Sequence, residues 1–375
     1  MQNLTNLVKN LLVLFILTAG NSAQSQNQNH SFFFTYTSDT HFQVNKTPKT
    51  SVAKGLLEIG LTFELTSEIS FNTNGFFPHG QSISKSFGDV FFISSIDGRN
   101  TARLQNFWLE YAPQNSNWIL RLGKQAFDDE FLVTKKSDLF IHGAGAFVFT
   151  LPNSSPQWPI ATPAALLKFS LGSSQIKTAI YLADTNLTNE AFNLNGLNFS
   201  LAASGLLSMV EFSNTLPKID FRVGLFNDSN RSKYSSINDQ RSTTAFYAIA
   251  EPLIYNNLKS DFILSAHVAY SRVFEPSTAV IDYDARLALF LDSRLNHKQV
   301  RFGFGFFYPH VGQAVSNQSQ SFLGSEHFTE ATFELQLSKQ LQWRAAFQRV
   351  MNPGAPEGLN QPNGTFLVSR LSFEW

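Results

Sequence analysis

Counted back from the C-terminus in steps of two, Trp375, Phe373, Leu371 and Leu367 form an apolar row interrupted only by Ser369, while Glu374, Ser372 and Arg370 take the alternate positions. Successive side chains of a strand point to opposite faces, so this stretch offers one face to hydrocarbon and the other to water. The same period of two recurs along the chain. Leu57, Ile59, Leu61 and Phe63 alternate with Glu58, Gly60 and Thr62, and Phe107, Leu109 and Tyr111 with Asn106, Trp108 and Glu110. Trp118, Leu120 and Leu122 flank Arg121, and Phe221, Val223 and Leu225 flank Arg222 and Gly224. Val268 and Tyr270 follow His267, Leu287 and Leu289 follow Arg286, and Phe302, Phe304 and Phe306 interleave with Arg301, Gly303 and Gly305. Phe333 and Leu335 enclose Glu334, and Trp343 and Ala345 enclose Arg344. Strand plus connector repeats about every 20 residues, which predicts roughly 14 to 18 strands; a bacterial single-chain barrel needs an even number, and about sixteen is expected.

A soluble sandwich also alternates, but its inward face is a dry core that does not accept repeated charges. Here the face opposite the aromatics repeatedly takes Arg, Glu or Gly, which predicts a transmembrane antiparallel β-barrel with lipid outside and a watery lumen with room in it. Tyr111, Trp118, Tyr270 and Tyr308 near segment ends suit interfacial girdles. Beyond the first residues no run approaches the length of a membrane-crossing helix. The N-terminal order is Lys9, then the apolar run Leu11 to Leu17, then Thr18 to Ser25, as in a secretory signal peptide; cleavage after Gly20, Ala23 or Ser25 is expected. Residues 1–25 are thus read as a signal peptide and 26–375 as one barrel.

Connector lengths set the topology. Residues 112–117, 171–174 and 338–340 read as short periplasmic turns, and 227–243, 309–327 and 352–364 as long external loops. The segment Glu64 to Ser67 is a poor turn sequence, which obscures the first strands. The longest connector, 127–163, carries Asp128, Asp129 and Glu130 and several prolines; long loops in compact domains tend to be functional, and this one is a candidate constriction loop folding into the lumen.

Composition removes other chemistries. There is no cysteine, hence no disulfide, thiolate metal site or lipoprotein anchor, and 28 basic against 28 acidic residues give no reason to expect nucleic acid. Phe is abundant, at 38 residues, yet the mean hydropathy is only -0.10. The 8 histidines form no His-Glu-x-x-His motif and no Gly-x-Ser-x-Gly elbow is present. His142 is a loop residue without an evident partner, and His267 reads as a wall residue. Neither a catalytic group, a metal nor a cofactor is expected.

The chain resembles the carbohydrate-selective porins of the OprB type over most of its length. The landmarks are Phe77-Pro78-His79-Gly80, Gly88-Asp89-Val90, Ser94-Ser95-Ile96-Asp97, then Arg103 through Tyr111, Leu120 through Gln125, Glu130-Phe131, Leu139-Phe140-Ile141, Trp158-Pro159, Gln348 through Gly354 and the closing Arg370 strand. It departs from the pattern at Ala144 to Phe149 and at Glu251-Pro252. The terminal aromatic is similar to the assembly signal of outer-membrane barrels, which implies recognition of the Trp375 strand by the barrel-assembly machinery and residence in the outer membrane of a Gram-negative-type bacterium.

The resemblance implies passive, saturable diffusion of sugars or small neutral polyols; a general non-selective porin is the alternative, and a barrel enzyme a more remote one. Sugars are held by charge-assisted hydrogen bonds and by aromatic faces. The inward candidates are Arg121, Arg222, Arg286, Arg301, Arg344, Arg370, Glu110, Glu334 and Trp108, with Asp128, Asp129 and Glu130 in the constriction loop. The oligomeric state is left open.

Overall fold

The computed structural model describes residues 30–45, 50–89, 91–143, 150, 155–188, 192–230, 242–257, 261–279, 281–295, 297–311, 325–354 and 361–375. The expected leader, 1–25, and the departure at Ala144 to Phe149 lie outside the described residues. Sixteen strands follow one another: β1 (His30–Gln43), β2 (Thr50–Glu64), β3 (Ile69–Gly80), β4 (Arg103–Tyr111), β5 (Trp118–Gln125), β6 (Thr162–Leu171), β7 (Ser174–Ala183) and β8 (Gly205–Leu216). The second half is β9 (Ile219–Asp228), β10 (Thr243–Asn257), β11 (Phe262–Val273), β12 (Ile281–Leu295), β13 (Lys298–Val311), β14 (His327–Gln336), β15 (Leu341–Met351) and β16 (Gly364–Glu374).

Each strand pairs with its sequence neighbours, and β16 pairs antiparallel with β1 to close the barrel. Closure matters physically because an open edge in hydrocarbon would leave its backbone groups unsatisfied. Trp375 takes part in it: its N–H donates to Phe34 O at 2.9 Å and its carbonyl accepts from Phe34 N at 3.0 Å. Short turns gather at one end of the barrel and long connectors at the other, as connector lengths predict.

The outer face is apolar, with Phe107, Leu122, Val223, Leu289 and Phe304 all about half exposed. Aromatic pairs mark both rims, Tyr111 against Trp118 and Phe32 against Trp375 at the turn end, and Tyr36 with His79 and Tyr283 with His310 at the loop end.

Three sequence expectations change. The segment after Glu64 is a good turn: Leu65 and Thr66 N–H groups donate to Ile69 O, and Thr66 Oγ1 accepts from Glu68 N and Ile69 N. The alternation of β1 is hidden because Phe33 points inward between outward Phe32 and Phe34, fitting the space that Gly60 leaves; a Cβ there would meet its ring. The inner face is also not uniformly watery. Its turn-end half is polar, but its loop-end half is a dry collar, built by Phe290, Phe307, Phe328 and Phe366 on one side and by Tyr181, Leu207, Phe226 and Tyr247 on the other.

Two connectors pack into that collar. Residues 126–161 send in Phe127, Phe131, Leu139 and Phe140, and residues 81–102 send in Phe87, Phe91 and Ile93, all buried. Gly303 and Gly305 leave the room that Leu139 and Phe140 fill, since a Cβ would fall 2.7 Å from Leu139 and 2.8 Å from Phe140 respectively. The glycines make space for a loop rather than for water.

Candidate functional site

Connector 126–161 follows the inner wall strand by strand. Leu132 N donates to Glu211 on β8 at 3.1 Å, Lys136 N to Glu251 on β10 at 3.2 Å, and Ile141 and His142 N to the Glu330 carboxylate on β14 at 2.7 and 2.9 Å. The His142 ring stacks on Phe328 at 3.9 Å, so this residue has a partner after all, and burial pushes its imidazole down to about 3. The 81–102 connector is tied to it through Ser95 N donating to Ile141 O at 2.8 Å.

Where the dry collar meets the polar tier, charges form a belt. On one side Arg121 donates to Glu110 at 2.7 Å and pairs with Glu130 at 2.7 Å, while Lys168 reaches Glu130 at 2.9 Å. The Arg121 guanidinium lies 3.9 Å over the Trp108 ring, a cation–π contact that covers one aromatic face. Burial opposes the charge on Glu130, yet Arg121 and then Lys168 outweigh it and hold the carboxyl below its ordinary value. Next along the wall, Lys177 pairs with Glu211 at 2.9 Å.

On the other side Asp138 of the loop accepts from Arg301 at 3.0 Å, and Arg301 also approaches Asp292 and Glu334 at 3.3 and 3.6 Å. Arg344 donates to Glu334 at 2.6 Å and to Asp138 O at 2.7 Å.

The inward candidates therefore divide. Arg121, Glu110, Trp108 and Glu130 come together, as do Arg301, Arg344 and Glu334. Arg222 and Asp129 line a common cavity with Glu130 and Lys177 at the turn end of β6 to β9. Arg286 and Arg370 stand apart in the collar: they are buried and carry carboxylates, Asp284 at 2.6 Å and Asp39 at 2.7 Å, with Arg370 also donating to Ser95 at 3.0 Å. Asp128 faces away from the belt, accepting from Trp158 N at 2.8 Å. Burial and then the neighbouring Asp129 carboxylate push its carboxyl up to about 8, and its Oδ1 is buried without a partner among the described residues.

Sequence reasoning missed Asp138, Lys168, Lys177, Glu211 and Asp292. Several were within reach. Short turns fix register, so counting outward from residues 112–117 places Glu110 opposite Arg121, and counting from the turn after Gln336 places Glu334 opposite Arg344. The same arithmetic puts Asp292 opposite Arg301; Lys177 and Glu211 also face each other, but β7 and β8 are joined by the long connector 184–204, which fixes no register. Asp138 has no such signal, because a docked loop carries no register.

Comparison with known proteins fits this architecture. The family model described as carbohydrate-selective porin, OprB family, matches residues 56–373. A high-pH structure of Pseudomonas putida OprB superposes with a TM-score of 0.80 at 14% identity, covering 92% of this chain and 94% of that one. Salmonella typhi OmpF in complex with daunomycin gives 0.60 at 8% identity over 92% and 97%, and an anion-selective porin from Comamonas acidovorans 0.55 at 10% over 92% and 99%. At these identities the structural likeness speaks for the fold. No curated protein matches the chain in sequence.

Proposed function

Since the chain belongs to the carbohydrate-selective porin family of the OprB type, we propose that it admits sugars and small neutral polyols by passive diffusion, with selection at the charge belt. The observation that carries this reading is the belt itself: alternating donors and acceptors on two sides of the wall, bridged by one loop that supplies Glu130 to one cluster and Asp138 to the other. Paired charges present little net field to an ion, yet their unused lone pairs and N–H groups can exchange partners with hydroxyls as a sugar passes. In this role Arg121, Arg301, Arg344, Glu110, Glu334 and Trp108 line the path, with Arg222 and Asp129 on the turn side. Arg286, Arg370 and Asp128 hold the collar and its loop in place.

The reading extends to the setting of the barrel. The apolar outer face lies in the outer-membrane lipid of a Gram-negative-type bacterium, the short turns face the periplasm, residues 1–25 are removed on export, and the Trp375 strand is the element the assembly machinery reads. Liposome swelling with purified protein tests the function, using glucose, a maltooligosaccharide, an amino acid and a neutral polyol of matched size. Sugar entry faster than size predicts is expected. Entry ranked by size alone would make this a general porin, and no entry would remove the channel reading.

A further inference from the structure

Of the inward arginines, five are engaged by carboxylates: Arg121, Arg286, Arg301, Arg344 and Arg370. Arg222 makes no ion pair or hydrogen bond with any described residue, and its Nη1 is buried. The residue is half-buried and lines an open space, so its donors are free to take a directional partner from a solute, and that space is large enough to hold one.

That space is a cavity of about 450 Å³ beneath the docked loop, within the roughly 300–1,000 Å³ span of small-molecule sites. Its roof is Asp129, Glu130 and Val133 of the loop, and its walls and floor are Arg222, Lys177 and a set of serine, threonine and glutamine side chains from the turn ends of β6 to β8. Most of its charges are already spoken for. Glu130 is held by Arg121 and Lys168, and Lys177 by Glu211. One anion and one cation are left, with no ion pair between them. Asp129 accepts from Asn106 at 2.7 Å through Oδ2, and its other oxygen accepts from no described residue.

We propose that this cavity is a weak subsite for a neutral polyhydroxylated solute of hexose size, bridging Arg222 as donor and Asp129 as acceptor on the turn side of the belt. The inference rests on the carbohydrate reading above and adds to it a place and a residue pair. Neutrality follows from the balanced leftover charges: a carboxylated sugar would satisfy Arg222 but meet Asp129. Weakness follows from the lining, which holds no aromatic ring on which a sugar could stack. A conducting site must release what it binds, so weak binding suits it.

Glucose swelling rates measured against concentration test the subsite in the full-length protein. Arg222→Gln and Asp129→Asn should each raise the half-saturating glucose concentration at least threefold while leaving glycine entry unchanged. Ser213→Leu, which fills the cavity without altering either charge or adding a ring, should do the same. Correct folding is read from the heat-modifiable mobility of the barrel. Unchanged half-saturation in the folded variants, with wild type still preferring sugar, would overturn the subsite and leave the sugar channel standing. Loss of gluconate entry rather than glucose entry in Arg222→Gln would overturn its neutral character. A wild type with no sugar preference would remove both readings at once.

Discussion

The inner wall has two tiers that the outer wall does not. Toward the loop end its side chains are Phe290, Phe307, Phe328, Tyr181 and Tyr247, packed against connectors that turn inward; toward the turn end they are Glu110, Arg121, Ser213, Arg222, Arg301 and Arg344. Both tiers lie on the same faces of the same strands, so alternation alone does not tell them apart. What separates them is whether a loop docks there. A dry tier can hold a connector still; a polar tier can exchange hydrogen bonds with solutes. The belt of paired charges lies where the two meet.

If the dry tier positions the loop, removing its anchors should have the largest effects. Phe140 packs against Phe290 at 5.4 Å and Phe307 at 5.2 Å. Phe140→Ala should cost about 3–5 kcal/mol of loop docking, seen as rapid proteolysis within 126–161 and higher conductance; a protease-resistant variant would show that the loop stands without its anchor. Gly305→Val attacks the same contact from the wall, since even a Cβ would lie 2.7 Å from Phe307. Overpacking of that kind costs about 1–3 kcal/mol, and conductance should rise by less than in Phe140→Ala.

The belt should respond more mildly. Arg344→Ala removes bonds to Glu334 and Asp138 O, worth about 1.5 kcal/mol once lumen water screens the pair. Its signature is increased cation selectivity in bilayer recordings, because Glu334 loses a partner; unchanged reversal potentials would place Glu334 away from the ion path.

The smallest effect is a pH dependence of docking. The Asp128 carboxyl is raised in the docked loop to about 8, so the neutral form is the one that docks well. Its contribution is complete below the ordinary carboxylate value of about 4 and is lost as pH rises through about 8. Loop proteolysis should therefore be faster at high pH than at neutral pH in wild type, and Asp128→Asn should flatten that slope. A slope that persists in the variant would assign it to another group.

Much of this was legible in the sequence. The barrel, its sixteen strands and the placement of long and short connectors follow from period-two alternation and turn spacing, because an apolar outer face recurs on strand after strand. The tiers were legible only in part. In β8 the inward positions run Leu207, Met209, Glu211, Ser213, Thr215, a gradient from apolar to polar along one strand. Two-residue alternation averages that gradient away, and the glycines at 303 and 305 read as open lumen when they are sockets for Leu139 and Phe140. Arg286 and Arg370 look like Arg121 in the pattern, yet a loop covers them, and nothing in their own strands announces it.

The most direct test of the two-tier account is the ratio of glucose to glutamine swelling rates, solutes of similar size, in wild type and in Phe140→Ala. The account predicts a ratio above the size expectation in wild type and a fall to that expectation in the variant, with both absolute rates higher. A preference that survives release of the loop would contradict it, because selectivity would then reside in the bare wall.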